Sequence, residues 1–113
     1  MHELGFATEL VSTLEDLMDQ ESLTKISSVT LKVGEATGVV PRFLLECWPA
    51  AIEDSRLPDC ELKIDYVHVV ARCRDCGQEY PASSSHGKCP KCGCEDYELL
   101  NGYEFEVVEI HGC

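Results

Sequence analysis

Two copies of Cys-x-x-Cys-Gly, Cys73-Arg-Asp-Cys76-Gly77 and Cys89-Pro-Lys-Cys92-Gly93, carry the plainest chemistry of this chain. Two thiolates three residues apart on a tight turn grip one face of a tetrahedral ion, and a second such turn supplies the opposite face. A glycine after each pair suits a turn with positive φ, in which backbone N–H groups point toward sulfur. Twelve residues lie between Cys76 and Cys89, enough for a short hairpin. The spacing predicts a zinc-ribbon-like site in which Cys73, Cys76, Cys89 and Cys92 hold a structural Zn²⁺. Two redox dithiols are the competing reading. Such dithiols usually occur singly, at a helix start beside a βαβ pattern, and that pattern is missing.

A second donor set stands at the start, Met1-His2-Glu3. Histidine at position two places the Met1 amine, the His2 amide nitrogen and imidazole Nδ1 in one chelating run. Amine and amide close a five-membered ring on a metal, and amide and imidazole close a six-membered ring. Nitrogen donors in a plane belong with Ni(II) or Cu(II). Glu3 adds an amide nitrogen or a carboxylate. A solvated terminal histidine is the plain alternative.

The elements that must position these residues follow from periodicity. Leu4, Ala7, Leu10, Val11, Leu14, Leu17 and Met18 recur at helical spacing up to about Asp19. Val29, Leu31 and Val33 alternate with Thr30 and Lys32 in a half-buried strand from Ile26 to Glu35. A Gly34–Gly38 loop leads to Pro41, which suits the first position of a second helix running to about Asp54. Pro49 is expected to kink or interrupt that helix. Glu61 to Ala71 reads as one strand, and Tyr103 to Ile110 as a third. The predicted fold is α+β: a two-helix, three-stranded domain formed by residues 1–71 and 101–113, with a zinc-ribbon-like lobe of residues 72–100 inserted before the last strand. Between the knuckles the lobe offers little apolar burial beyond Tyr80, Pro81 and Ala82, so the metal is expected to be its largest stabilising contribution.

Bulk properties narrow the function classes. The 113 residues are 44% hydrophobic, ordinary for one globular domain with an appendage. No apolar run approaches the length of a membrane span, and Glu3, Glu9 and Glu15 break any apolar leader. Of eight cysteines, Cys47, Cys60, Cys94 and Cys113 show no disulfide framework, so a reducing cytoplasm is expected. The net charge is −12, and only the stretch 72–94 is slightly basic. A nucleic-acid binder needs a basic footprint to displace counterions, so a protein or metal partner is favoured.

Taken in order, Met1-His2-Glu3, Val33-Gly34-Glu35 with Thr37-Gly38-Val39, Phe43 to Glu46, the two cysteine knuckles and the closing Val107-Val108-Glu109-Ile110 resemble the HypA/HybF family. The resemblance spans essentially the whole chain. It implies a nickel metallochaperone for the maturation of [NiFe] hydrogenase, with His2 as the nickel ligand and the four cysteines on zinc; the donor run at the start adds Met1 and Glu3 as candidate backbone co-ligands. It also implies as partners HypB, a nucleotide-hydrolysing nickel-insertion protein, and the hydrogenase large subunit. Some members carry histidine after each Cys-x-x-Cys, where this chain has Gly77 and Gly93.

Other residues carry lesser expectations. Cys94 reads as a bystander beside the zinc site, and His111-Gly112-Cys113 as a disordered end. His86 is a solvated loop residue or a further nickel donor. His68 is a hydrogen-bonded core or rim residue, and Glu35 a loop carboxylate or an acceptor near the N-terminus. The sequence leaves a homodimer open. The rival function is a zinc-ribbon module for protein or nucleic-acid interaction. Catalysis is not expected: four cysteines leave a zinc ion no open position, and no nucleophile–base arrangement stands out.

Overall fold

The computed structural model describes residues 2–84 and 86–113, with their side chains except those of His2 and Ser84. Helix α1 runs His2–Gln20, two residues earlier than its apolar stripe predicts. Strand β1 is Ile26–Gly34 and helix α2 is Pro41–Ile52. Strands β2 (Glu61–Val67), β3 (Val70–Cys73), β4 (Glu79–Pro81), β5 (Tyr97–Leu99) and β6 (Phe105–Gly112) follow. The molecule is elongated, 54 × 27 × 15 Å.

Two three-stranded sheets account for the length. The first has the order β2-β1-β6, with β1 parallel to β2 and antiparallel to β6. Parallel strands need a crossover, and α2 supplies it. Both helices lie on one face. Ala7, Leu10, Val11, Leu14 and Met18 of α1, and Leu44, Trp48 and Ile52 of α2, form one core with Val29, Leu31, Val33 and Leu62. Trp48 Nε1 donates to the Cys60 carbonyl at 2.8 Å, so the buried indole N–H is satisfied. Pro49 does not interrupt α2. It sits on the exposed side of the helix, where water can serve the carbonyl that its missing N–H leaves over.

The second sheet, β4-β3-β5, is wholly antiparallel and belongs to the lobe. The run Glu61–Ala71 is therefore two strands in two sheets, not one. At the break, Val69 N–H donates to Glu35 Oε1 (2.9 Å) and Val70 N–H to Asn101 Oδ1 (2.8 Å), while Asn101 Nδ2 donates to the His68 carbonyl (3.0 Å). These bonds satisfy backbone groups between the sheets and tie both connecting segments together.

The tail is ordered, against expectation. His111 lies opposite Ser28 in β6, Cys113 N–H donates to the Lys25 carbonyl (3.0 Å), and Thr24 N–H donates to the Cys113 carbonyl (2.8 Å). At the other end of the same sheet, Gly34 N–H donates to the Glu104 carbonyl at 2.8 Å. A methyl group on Gly34 would run into the Gly102 carbonyl and the Glu104 carboxylate. Gly34→Ala is expected to cost about 1–3 kcal/mol of overpacking, visible as a lower urea midpoint at unchanged slope.

Candidate metal centre

The lobe brings its four predicted cysteines to one point. Cys73 ends β3, and the turn after it leads to β4; Cys89 opens a matching turn that leads to β5. Each knuckle closes alike. Gly77 (φ 79°) donates to the Cys73 carbonyl at 2.9 Å, and Gly93 (φ 77°) to the Cys89 carbonyl at 2.8 Å. Only glycine adopts that φ freely, which explains the third fixed position in each motif. Within the turns the Cys76 N–H points at Cys73 Sγ (3.5 Å) and the Lys91 N–H at Cys89 Sγ (3.4 Å).

All four sulfurs lie within 4.8 Å of one another, with Cys73–Cys92 at 3.5 Å and Cys76–Cys89 at 3.6 Å. A tetrahedron of sulfurs each about 2.3 Å from zinc has edges of about 3.8 Å, so the donor set fits a closed Zn²⁺ site. The two sulfur pairs are electrically uneven. The Cys76 N–H and further hydrogen bonds hold the Cys73 thiol down to about 6. Cys92 is pushed up to about 12: the Cys94 N–H acts to lower it, but the neighbouring sulfurs, Cys73 first among them, and burial outweigh that. In the second pair Cys76 is likewise raised and Cys89 lowered, and a divalent cation displaces the thiol protons when it binds.

Around the sulfurs the apolar packing is thin. Ala71, Cys73, Tyr80 and Cys89 are buried, with Ala82 and Cys94 beside them. Cys94 stays outside the quartet: its Sγ accepts the Asp96 N–H at 3.4 Å, and its carbonyl accepts the Cys89 N–H at 2.9 Å. That agrees with the bystander reading.

The nitrogen site is placed only in part. Met1 and the His2 side chain lie outside the described residues. The His2 and Glu3 backbone forms the first turn of α1, and Glu3 Oε2 accepts the Val40 N–H at 3.2 Å. Phe6 of α1 packs against Phe105 with ring centroids 4.9 Å apart and planes tilted by 43°, which puts this end of the helix over the start of β6. Among the described residues, His68, His86 and His111 join no group of three metal-ligating side chains. His68 is a rim residue, edge-on to Tyr66 with Nδ1 3.7 Å from Glu35 Oε2. Sequence reasoning missed Asn101. Its partners lie 31 and 33 positions away, so no local signal reveals it.

The arrangement has counterparts. Residues 1–112 match the family described as hydrogenase/urease nickel incorporation, metallochaperone, HypA. A hydrogenase maturation factor HypA from Chlorobaculum parvum is 32% identical over 110 residues, 97% of both chains. One from Streptomyces avermitilis is 34% identical over 113 residues, covering 98% of this chain and 86% of its own. Among solved structures, the solution structure of the Ni metallochaperone HypA from Helicobacter pylori superposes with a TM-score of 0.68 at 21% identity, covering 97% of this chain and 96% of that one. A second solution structure of a HypA protein gives 0.70 at 22% identity, covering 100% and 97%. With whole-chain coverage and identity above 30%, the chain belongs to the HypA family of nickel-incorporation metallochaperones.

Proposed function

We propose that this chain carries Ni(II) on its first residues and delivers it for insertion into the large subunit of [NiFe] hydrogenase, while zinc held by Cys73, Cys76, Cys89 and Cys92 maintains the shape of the lobe. The observation that carries this reading is the closed geometry of the sulfur quartet. Four sulfurs at near-tetrahedral distances leave no open position, so a transferable ion needs donors elsewhere. Residues 2 and 3 supply them: first-turn amides have no intrahelical acceptor, and the His2 imidazole and Met1 amine are adjacent in sequence. Because the Glu3 carboxylate already receives the Val40 N–H, Glu3 is assigned its amide nitrogen as the donor.

Such a site suits delivery, because an acceptor adds ligands before the donor ones leave. By the Irving–Williams order Cu(II) outcompetes Ni(II) at nitrogen donors, so selectivity comes from metal availability and partner docking. HypB and the large subunit are the proposed partners, in the cytoplasm; no described helix is long and apolar enough to cross a membrane. Residues 1–69 and 101–113 are assigned to the nickel-binding unit and residues 70–100 to the zinc-binding one, two residues longer than expected because Val70 and Ala71 pair in the lobe sheet. No catalytic step is assigned.

The test is a nickel titration followed by absorption, with zinc already bound. The native start is expected to take up one Ni(II), and a chain with residues added before Met1 to bind it more weakly, because the amine has moved. Equal titration of both chains would remove the amine from the ligand set.

A further inference from the structure

One side of the body has no neighbour. The outer edge of β6 pairs with no strand among the described residues, and an unpaired edge presents a row of N–H and C=O groups that can template another strand. Between that edge and α1 runs a groove of about 240 Å³ lined by Glu9, Leu10, Thr13, Leu31, Phe105 and Val107. Leu10 and Leu31 are buried at its floor, and Phe105 and Val107 are half-covered.

Charge identifies what fits. Helix α1 carries Glu3, Glu9, Glu15, Asp16 and Asp19 with no Lys or Arg, and β6 carries Glu106 and Glu109 with none either. Glu9, Glu104 and Glu106 enter no ion pair among the described residues. From Phe105 to Val107 the two faces alternate, and a bulge follows at Val108 that leaves Glu109 on the same face as Glu106. Phe105 and Val107 lie opposite Val33 and Leu31 on the core face, and Glu106 lies opposite Lys32 on the open face. An added strand has the same period of two. Its inward side chains would meet Leu10, Phe105 and Val107, and its outward ones Glu106 and Glu109.

We infer that the free edge of β6 and the groove beneath α1 receive, by strand addition, an extended cationic segment of a partner protein in which apolar residues alternate with Lys or Arg. Main-chain hydrogen bonds supply affinity in this mode, and alternate side chains supply specificity. A second copy of this chain fits poorly. Pairing β6 with β6 sets glutamates against glutamates, and like charges directly opposite destabilise a strand pair. The inference is independent of nickel.

The test titrates zinc-loaded, full-length chain, without nickel, against three synthetic heptapeptides. One alternates Lys and Val, one has the same sequence with every second amide N-methylated, and one alternates Glu and Val. The Lys–Val peptide is expected to bind and to slow hydrogen exchange at residues 105–112, with affinity falling as salt is raised. N-methylation removes the edge-facing donors and is expected to weaken binding at least tenfold; the Glu–Val peptide is expected not to bind. Combined Glu9→Lys and Glu106→Lys, both exposed, should keep zinc content and melting temperature and lose at least tenfold in affinity. Equal binding of the methylated peptide, protection elsewhere than β6, or concentration-dependent protection of β6 without peptide would overturn the inference. The last result would assign the edge to a second copy.

Discussion

Cys73→Ser is expected to release zinc and melt the lobe while leaving the helices and the first sheet folded. The reason is the imbalance between metal and packing in residues 70–100. Among the described residues Tyr80 is the one large side chain in the lobe core, and full burial of a large apolar side chain contributes roughly 1.5–3 kcal/mol. Structural zinc in small fingers contributes an apparent free energy of about 10–16 kcal/mol. A serine oxygen replaces a soft thiolate, and the three remaining sulfurs lose the partner 3.5 Å from Cys92. The core of α1, α2 and β1 shares no buried residue with the lobe cluster, so far-UV helicity should persist. Elemental analysis with limited proteolysis of the segment Arg72–Leu100 checks both halves of the expectation. A variant that keeps one zinc per chain and a protease-resistant lobe would count against four-sulfur ligation.

His2→Ala is expected to abolish stoichiometric nickel binding and leave zinc at one per chain. Removing the imidazole from a three-nitrogen chelate breaks its six-membered ring and leaves only amine and amide. Loss of an outer-shell group typically costs 10–100-fold in metal affinity; loss of a direct ligand at a site this sparse should exceed about 100-fold. Helix α1 begins at this residue, and alanine is the best helix former, so circular dichroism and melting should not change. The readout is a nickel titration by absorption, with zinc measured in parallel. Unchanged uptake would move the cargo site away from the N-terminus, without touching the assignment of the four sulfurs.

Legibility from sequence followed the range of the interactions. The sulfur quartet was readable because spacing within each knuckle encodes the turn, and Gly77 and Gly93 announce its positive φ. The α1 stripe was readable for the same reason, although Met18 is fully buried and Leu17 only partly so. Misreadings came where distant groups decide. Glu61–Ala71 looks like one strand by composition; Glu35 and Asn101, far along the chain, stop the ladder at His68 and Val69. The tail looked free because nothing near it in sequence holds it, whereas Lys25 and Thr24 do so across the fold. Pro49 is expected to kink or interrupt α2 because it lacks one donor, yet the helix continues through it on its exposed side. The nitrogen donors rest on their order in the sequence and on the family pattern, since Met1 and the His2 side chain lie outside the described residues.

Placing the lobe between β2 and β6 has a consequence for biosynthesis. During translation the helices and the first two strands of the body emerge before the four cysteines of the knuckles do, and β6 emerges last. The body's sheet therefore stays one strand short until synthesis has passed the whole lobe. Hydrogen bonds joining His68 and Val70 to Leu100 and Asn101 bring the ends of the intervening segment together, and closing a shorter effective loop costs less entropy. Zinc captured by the nascent chain would hasten the docking of β6, coupling metal supply in the cell to the yield of finished protein.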